Sequence, residues 1–61
     1  MADYVLVSGE LVKESALAYC LRDADGNEEW FPKSEITQVT TYIGDIELEV
    51  PGWLAIEKGF D

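Results

Sequence analysis

Chemistry in this chain must come from carboxylates, because little else is present to perform it. Asp and Glu number 13 against four cations, Lys13, Arg22, Lys33 and Lys58, and with no histidine the net charge is −9. Nucleophilic catalysis needs a base beside the nucleophile. Ser8, Ser15, Ser34 and Cys20 have no such partner in the sequence. Two carboxylates can serve as acid and base when they flank a substrate cleft, and a chain of 61 residues has little room to build one. The expectation is a non-enzymatic protein that uses no cofactor. Cys20 is the only cysteine, so neither a disulfide nor a thiolate–imidazole zinc site can form within one chain. Its expected place is a small, buried apolar position in a reducing compartment.

The run Asp23-Ala24-Asp25-Gly26-Asn27 opens as a calcium loop does, with Asp-x-Asp-x-Asn. The glycine required at loop position 6 is instead Glu28, and the bidentate glutamate required at position 12 is Ser34. A turn is the better reading, and no metal is expected. Asp45, Glu47 and Glu49 are spaced differently. Alternate residues on a strand recur every ~6.6–6.8 Å, so these three form a row on one face. DNA carries a phosphate about every 3.4 Å of axis along each strand, which the row matches at every second phosphate in rise, though not in helical path.

Asp23, Asp25, Glu28 and Glu29 form a second group at a hairpin tip. The two groups are the candidate partner-binding residues, suited to the basic groove of a protein that normally holds nucleic acid. A solvated strand face and a charged loop tip would carry the same residues. The aromatics are the other candidate surface. Most of Tyr4, Tyr19, Trp30, Phe31, Tyr42, Trp53 and Phe60 are expected in the core, with Trp30, Phe31 and Trp53 as candidates for a partner contact beside Pro32.

These groups need elements to hold them. Tyr4 to Val7 and Leu11-Val12 are rich in strand formers, with Ser8-Gly9 as a break or bulge. Ala16 to Leu21 is a second apolar run. Asp25-Gly26 after it suits a two-residue type I′ turn, which would set Leu21 opposite Trp30 and Arg22 opposite Glu29. Pro32 ends the returning strand, since it has no N–H to donate. Pro32 to Glu35 then predicts a tight turn or one turn of 3₁₀ helix. Ile36 to Tyr42 is β-rich, and Ile43-Gly44-Asp45 turns the chain. Ile46, Leu48 and Val50 alternate with acids, the period of a strand with one buried face. Pro51 stops that strand, and Trp53, Leu54 and Ile56 lie on a short helix closed by Lys58 and Gly59. The fold class is mainly β (α+β): a small curled antiparallel sheet of four to five strands with a short C-terminal helix. A single domain covers residues 1–61.

Charge and size bound the partners. A net charge beyond the ~2–8 sufficient for solubility repels nucleic acid and anionic membranes. Direct nucleic-acid binding is therefore not expected, and a basic protein surface is. No apolar run approaches the ~20 residues of a bilayer span, and Met1-Ala2-Asp3-Tyr4 lacks the basic start of a secretion signal. A cytoplasmic location follows as an expectation. A core this small supplies about 3–5 kcal/mol unless stapled, so a homodimer is a further expectation.

Two resemblances extend this reading. Glu29-Trp30-Phe31-Pro32-Lys33-Ser34-Glu35-Ile36-Thr37 resembles the end of a Src-homology-3-like barrel, where a strand ending in Pro passes through a 3₁₀ turn into the last strand. The likeness covers about nine residues. It implies a partial barrel of that kind. It departs at Glu35, which stands where that family's 3₁₀ turn carries its peptide-binding tyrosine. The chain also resembles small acidic bacteriophage proteins that pair a Trp-x-Pro-Lys-Ser motif, here Trp30, Pro32, Lys33 and Ser34, with an ending similar to Trp53 to Phe60. That family brings no activity. It implies a host-cell context, in which proteins of this size and charge inhibit defence or nucleic-acid enzymes, or assist phage replication and recombination as adaptors.

Overall fold

The computed structural model describes residues 3–60. Met1 and Ala2, half of the acidic start read above, lie outside them. Five strands form one open antiparallel sheet in the order β3-β2-β1-β5-β4. They are β1 (Tyr4–Glu14), β2 (Ala18–Arg22), β3 (Glu28–Pro32), β4 (Gln38–Thr41) and β5 (Asp45–Pro51). A 3₁₀ turn at Lys33–Glu35 joins β3 to β4, and the helix α1 (Gly52–Lys58) follows β5 directly. The small curled sheet with a terminal helix is as expected. The 3₁₀ turn does not lead into the last strand, because β5 follows β4 and lies between it and β1.

β1 pairs with two strands. Tyr4 to Glu10 pair with β5, and Glu10 to Glu14 pair with β2, so the two ladders overlap only at Glu10. The strand runs unbroken through Ser8-Gly9. The irregularity expected there falls instead between Leu11 and Lys13, where one extra residue is accommodated. Gly9 has a different task. A Cβ at this position would stand 2.5 Å from the Arg22 carbonyl oxygen, so glycine is what lets β2 close against β1 as the sheet bends.

The hairpin between β2 and β3 is not the type I′ turn. Among the described residues only Gly26, Gly44 and Gly59 take positive φ, whereas type I′ needs it at both central positions. Asp23 explains the difference. Its Oδ1 accepts the N–H groups of Asp25 and Asn27 at 2.9 Å each, and its backbone carbonyl accepts Gly26 N–H at 3.0 Å. The result is a three-residue loop, Ala24 to Gly26, in which one glycine at φ 89 suffices. The register shifts by one residue: Leu21 lies opposite Glu29 and Arg22 opposite Glu28. A one-residue slip moves side chains to the other face. Trp30 therefore leaves Leu21 and lies opposite Cys20.

The core sits on one face of the sheet. Val7, Leu21, Phe31, Ile46, Leu48 and Val50 meet Leu54 and Ala55 of α1 there, and all are buried. Ile46, Leu48 and Val50 carry out the alternation read in the sequence. The helix ends as Lys58 and Gly59 foretold, and the end does more than stop it. Gly59 at φ 76 donates to Ile56 O, and Phe60 N–H donates to Ala55 O at 2.9 Å. That paired closure turns Phe60 back onto Phe31, with ring centroids 5.1 Å apart and planes at 84°.

The aromatics depart furthest from expectation. Phe31 is fully buried, and Tyr19 and Phe60 are half-buried against the core. Tyr4, Trp30, Tyr42 and Trp53 are exposed. Aliphatic side chains on β5 and α1 fill the space instead.

Gly9→Ala tests the bend. The added methyl meets backbone that cannot move aside, so stability falls by about 1–3 kcal/mol, whereas Ser8→Ala leaves it nearly unchanged. Urea unfolding followed by circular dichroism distinguishes the two, and equal behaviour would remove the proposed role of Gly9.

Candidate acidic interface

β5 places the acidic row. Because Ile46, Leu48 and Val50 point into the core, Asp45, Glu47 and Glu49 project from the opposite face, which α1 does not cover. Alternation spaces them by about 6.7 Å. Their neighbours in the register are Leu6 beside Glu49, Ser8 beside Glu47 and Glu10 beside Asp45 on β1, and Thr40 and Gln38 beside Glu47 and Glu49 on β4; none is a cation. Asp45 is exposed, and Glu47 and Glu49 are half-buried among these neighbours. Thr37 Oγ1 donates to Glu49 Oε1 at 2.7 Å and orients that carboxylate.

Glu10 belongs to this face as well. It pairs across the ladder with Asp45, a like-charge pair that costs stability. Sequence reasoning missed Glu10, since only the long-range register of β1 against β5 brings the two acids together. On its other side Glu10 meets Arg22, whose Nη1 lies 3.0 Å from Glu10 Oε1. Arg22 also grips Glu28 Oε2 through Nη2 at 2.8 Å and Nε at 3.2 Å. The Arg22 hydrogen bonds hold the Glu28 carboxyl below the usual glutamate range, with the nearby charges of Arg22 and Lys13 adding to the effect. The same bonds raise Arg22 further above its ordinary value.

Three of the four cations are engaged away from β5, and Lys13 lies toward Glu28. Arg22 joins Glu10 and Glu28, Lys33 Nζ lies 2.7 Å from Glu14, and Lys58 Nζ lies 3.9 Å from Glu29. Among the described residues no ion pair involves Asp45, Glu47 or Glu49. Charge on this row is uncompensated.

The structure separates the other candidates. Glu28 lies on the same face as the row but is paired with Arg22, which it shares with Glu10. Glu29 faces the helix side beside Lys58. Asp23 is occupied by its own turn, accepting from Asp25, Asn27 and the Asn27 side chain. Asp25 is exposed at the tip. Among the aromatics, Phe31 is 0% exposed and therefore holds the core, so it has no surface to offer a partner. Trp30 is 41% exposed on β3, and Trp53 is 56% exposed on α1 one turn from Ile56. These two tryptophans lie on opposite sides of the sheet, because Trp30 shares the face of Cys20 and Arg22 while α1 covers the core face.

Among the described residues no cavity opens beside the acids, and no group of Cys, Asp or Glu converges as metal ligands do. No helix among them is long and apolar enough to cross a membrane. What the row offers a partner is a strip of evenly spaced negative charge on a strand paired on both sides. No protein family, curated protein or solved structure matches the chain.

Two substitutions check the electrostatics. Arg22→Gln should move the Glu28 titration midpoint upward toward the ordinary glutamate range, read by NMR of its side-chain carboxyl. Glu28 has a depressed folded pKa, so its contribution to stability is present above the unfolded value and lost as pH falls through the folded one. The variant should show a flatter loss of stability in that window, and an unmoved Glu28 midpoint would contradict the ion pair. Asp45→Asn relieves the repulsion with Glu10 and should stabilise the fold by about 0.2–1 kcal/mol. Destabilisation would show instead that Asp45 has a structural role.

Proposed function

We propose that this is a non-enzymatic, phage-encoded binding protein that occupies the basic surface of a host nucleic-acid-binding or defence protein by mimicking the charge of nucleic acid. The observation that carries the reading is the uncompensated row of Asp45, Glu47 and Glu49 on an uncovered sheet face. A solvated strand face is ordinarily mixed in charge, and opposite-charge cross-strand pairs stabilise it. Here the neighbouring positions on β1 and β4 hold Leu6, Ser8, Thr40, Gln38 and a fourth carboxylate, that of Glu10. The fold gives up pairing that it uses elsewhere, at Arg22 and at Lys33. Retaining a costly arrangement at one place is the mark of a site.

Binding of this kind is steered over long range and is sensitive to salt. The host context comes from the bacteriophage resemblance. A second reading, an adaptor in phage replication or recombination, draws on Trp53 and Ile56, which are exposed together on α1 at 56% and 66%.

Capture from a bacterial lysate on the immobilised chain separates the two readings. Mimicry predicts retained nucleic-acid-binding proteins that elute between ~50 and ~500 mM salt, where the screening length contracts several-fold. It further predicts their loss from the D45K/E47K/E49K variant and their retention by Trp53→Ala. Retention that ignores both salt and charge reversal, yet disappears with Trp53→Ala, would replace mimicry by the adaptor.

A further inference from the structure

β4 has a neighbour on one side only. Tyr42 N–H donates to Asp45 O at 2.8 Å, and the register continues through Thr40 with Glu47 and Gln38 with Glu49. Antiparallel alternation therefore turns Gln38 and Thr40 toward β5. It leaves the N–H and C=O groups of Val39 and Thr41 on the open side. Sheet edges are normally blunted by charge, proline or a bulge. The opposite edge, β3, follows that rule with Glu28, Glu29 and Pro32. β4 does not. Ile36 to Gly44 contain no Asp, Glu, Lys, Arg or Pro, the longest uncharged stretch in a chain of net charge −9. From Gln38 to Thr41 the register with β5 is regular; the one irregularity precedes the strand, where Thr37 N–H also donates to Glu49 O at 3.0 Å.

We propose that β4 pairs antiparallel with β4 of a second copy of this chain, across a two-fold axis normal to the sheet. A two-fold interface sets each patch against itself. Any charged patch on this surface would then meet its own charge, and the β4 edge is the extended stretch where it would not. The occupant is therefore a second copy, whose Val39 and Thr41 supply the missing donors and acceptors. Tyr42 and Ile43, both exposed at the end of the strand, add apolar area.

Such pairing keeps the open faces of both copies on the same side. The two rows of Asp45, Glu47 and Glu49 then lie three strand spacings apart, about 14 Å. The dimer does not depend on the function proposed above, although it would double the acidic face. Its strength is bounded by area. The described chain exposes 4065 Å², and a standard interface covers ~800 Å² per partner. Pairing one four-residue strand covers less, so association is weak and concentration-dependent.

The dimer and the mimicry respond oppositely to salt. Two copies of net charge −9 repel, so screening strengthens the dimer while it weakens binding to a basic partner. Sedimentation equilibrium of the full chain from roughly 10 µM to 1 mM should show the mass rising toward twice 6.8 kDa. The association constant should increase severalfold between ~50 and ~500 mM salt. NMR amide exchange should slow at Val39 and Thr41 in step with dimer formation. Val39→Pro removes an outward donor without touching the bonds to β5, and should abolish the dimer with the circular dichroism unchanged. If that variant misfolds, Thr41→Glu makes the same test by adding like charge to the edge. A monomer at ~1 mM in high salt, an open-ended series of oligomers, or a dimer whose Val39 and Thr41 amides still exchange fast would overturn the proposal. So would a dimer that survives the substitutions.

Discussion

β1 is shared between two partner strands, β2 and β5, on its opposite sides, and the handover at Gly9 and Glu10 governs where the remaining side chains go. Up to Glu10 the strand belongs to β5, and from Glu10 onward to β2. The bend needs a residue without a side chain where the Arg22 carbonyl approaches, and Gly9 is that residue. Once the sheet is bent, Val7, Leu21, Phe31 and the β5 aliphatics converge, and α1 with Phe60 closes over them. The other face stays uncovered, and it inherits the acids.

Charge and fold are therefore coupled through the two-residue period of a single strand. The residues of β5 that alternate with its core aliphatics are carboxylates, and among the described residues those carboxylates find no cation. Arg22 illustrates the alternative. It sits between Glu10 and Glu28 on three adjacent strands and offsets one of their two charges. Exposed ion pairs of this kind contribute little each, so their importance here lies in leaving the charge at the β5 end unpaired.

Local signals in the sequence carried well. The alternation of Ile46, Leu48 and Val50, the 3₁₀ turn after Pro32 and the helix end at Lys58-Gly59 depend on neighbours a few residues away, and all appear in the structure. The β2–β3 register was misread because Asp-Gly suits type I′ equally well until the Asp23 carboxylate is seen to cap its own turn. The inward role assumed for most aromatics failed for a related reason: the one-residue shift moves Trp30 away from Leu21, and the helix buries Leu54 and Ala55 rather than Trp53. Glu10 was illegible as a member of the acidic face. Its place is set by a strand 35 residues further on, at Asp45. The acidic row itself was legible, because strand alternation is a local property.

Mimicry of nucleic acid makes one demand that a merely acidic surface does not meet, which is that the chain and a duplex compete for the same groove. The direct measurement is a titration of duplex DNA into the complex of this chain with a captured basic partner, followed by fluorescence anisotropy of the labelled chain. The account predicts full displacement, with an apparent affinity for the chain that falls in proportion to the DNA added and no ternary complex. A ternary complex, with chain and DNA bound together at undiminished affinity, would contradict it.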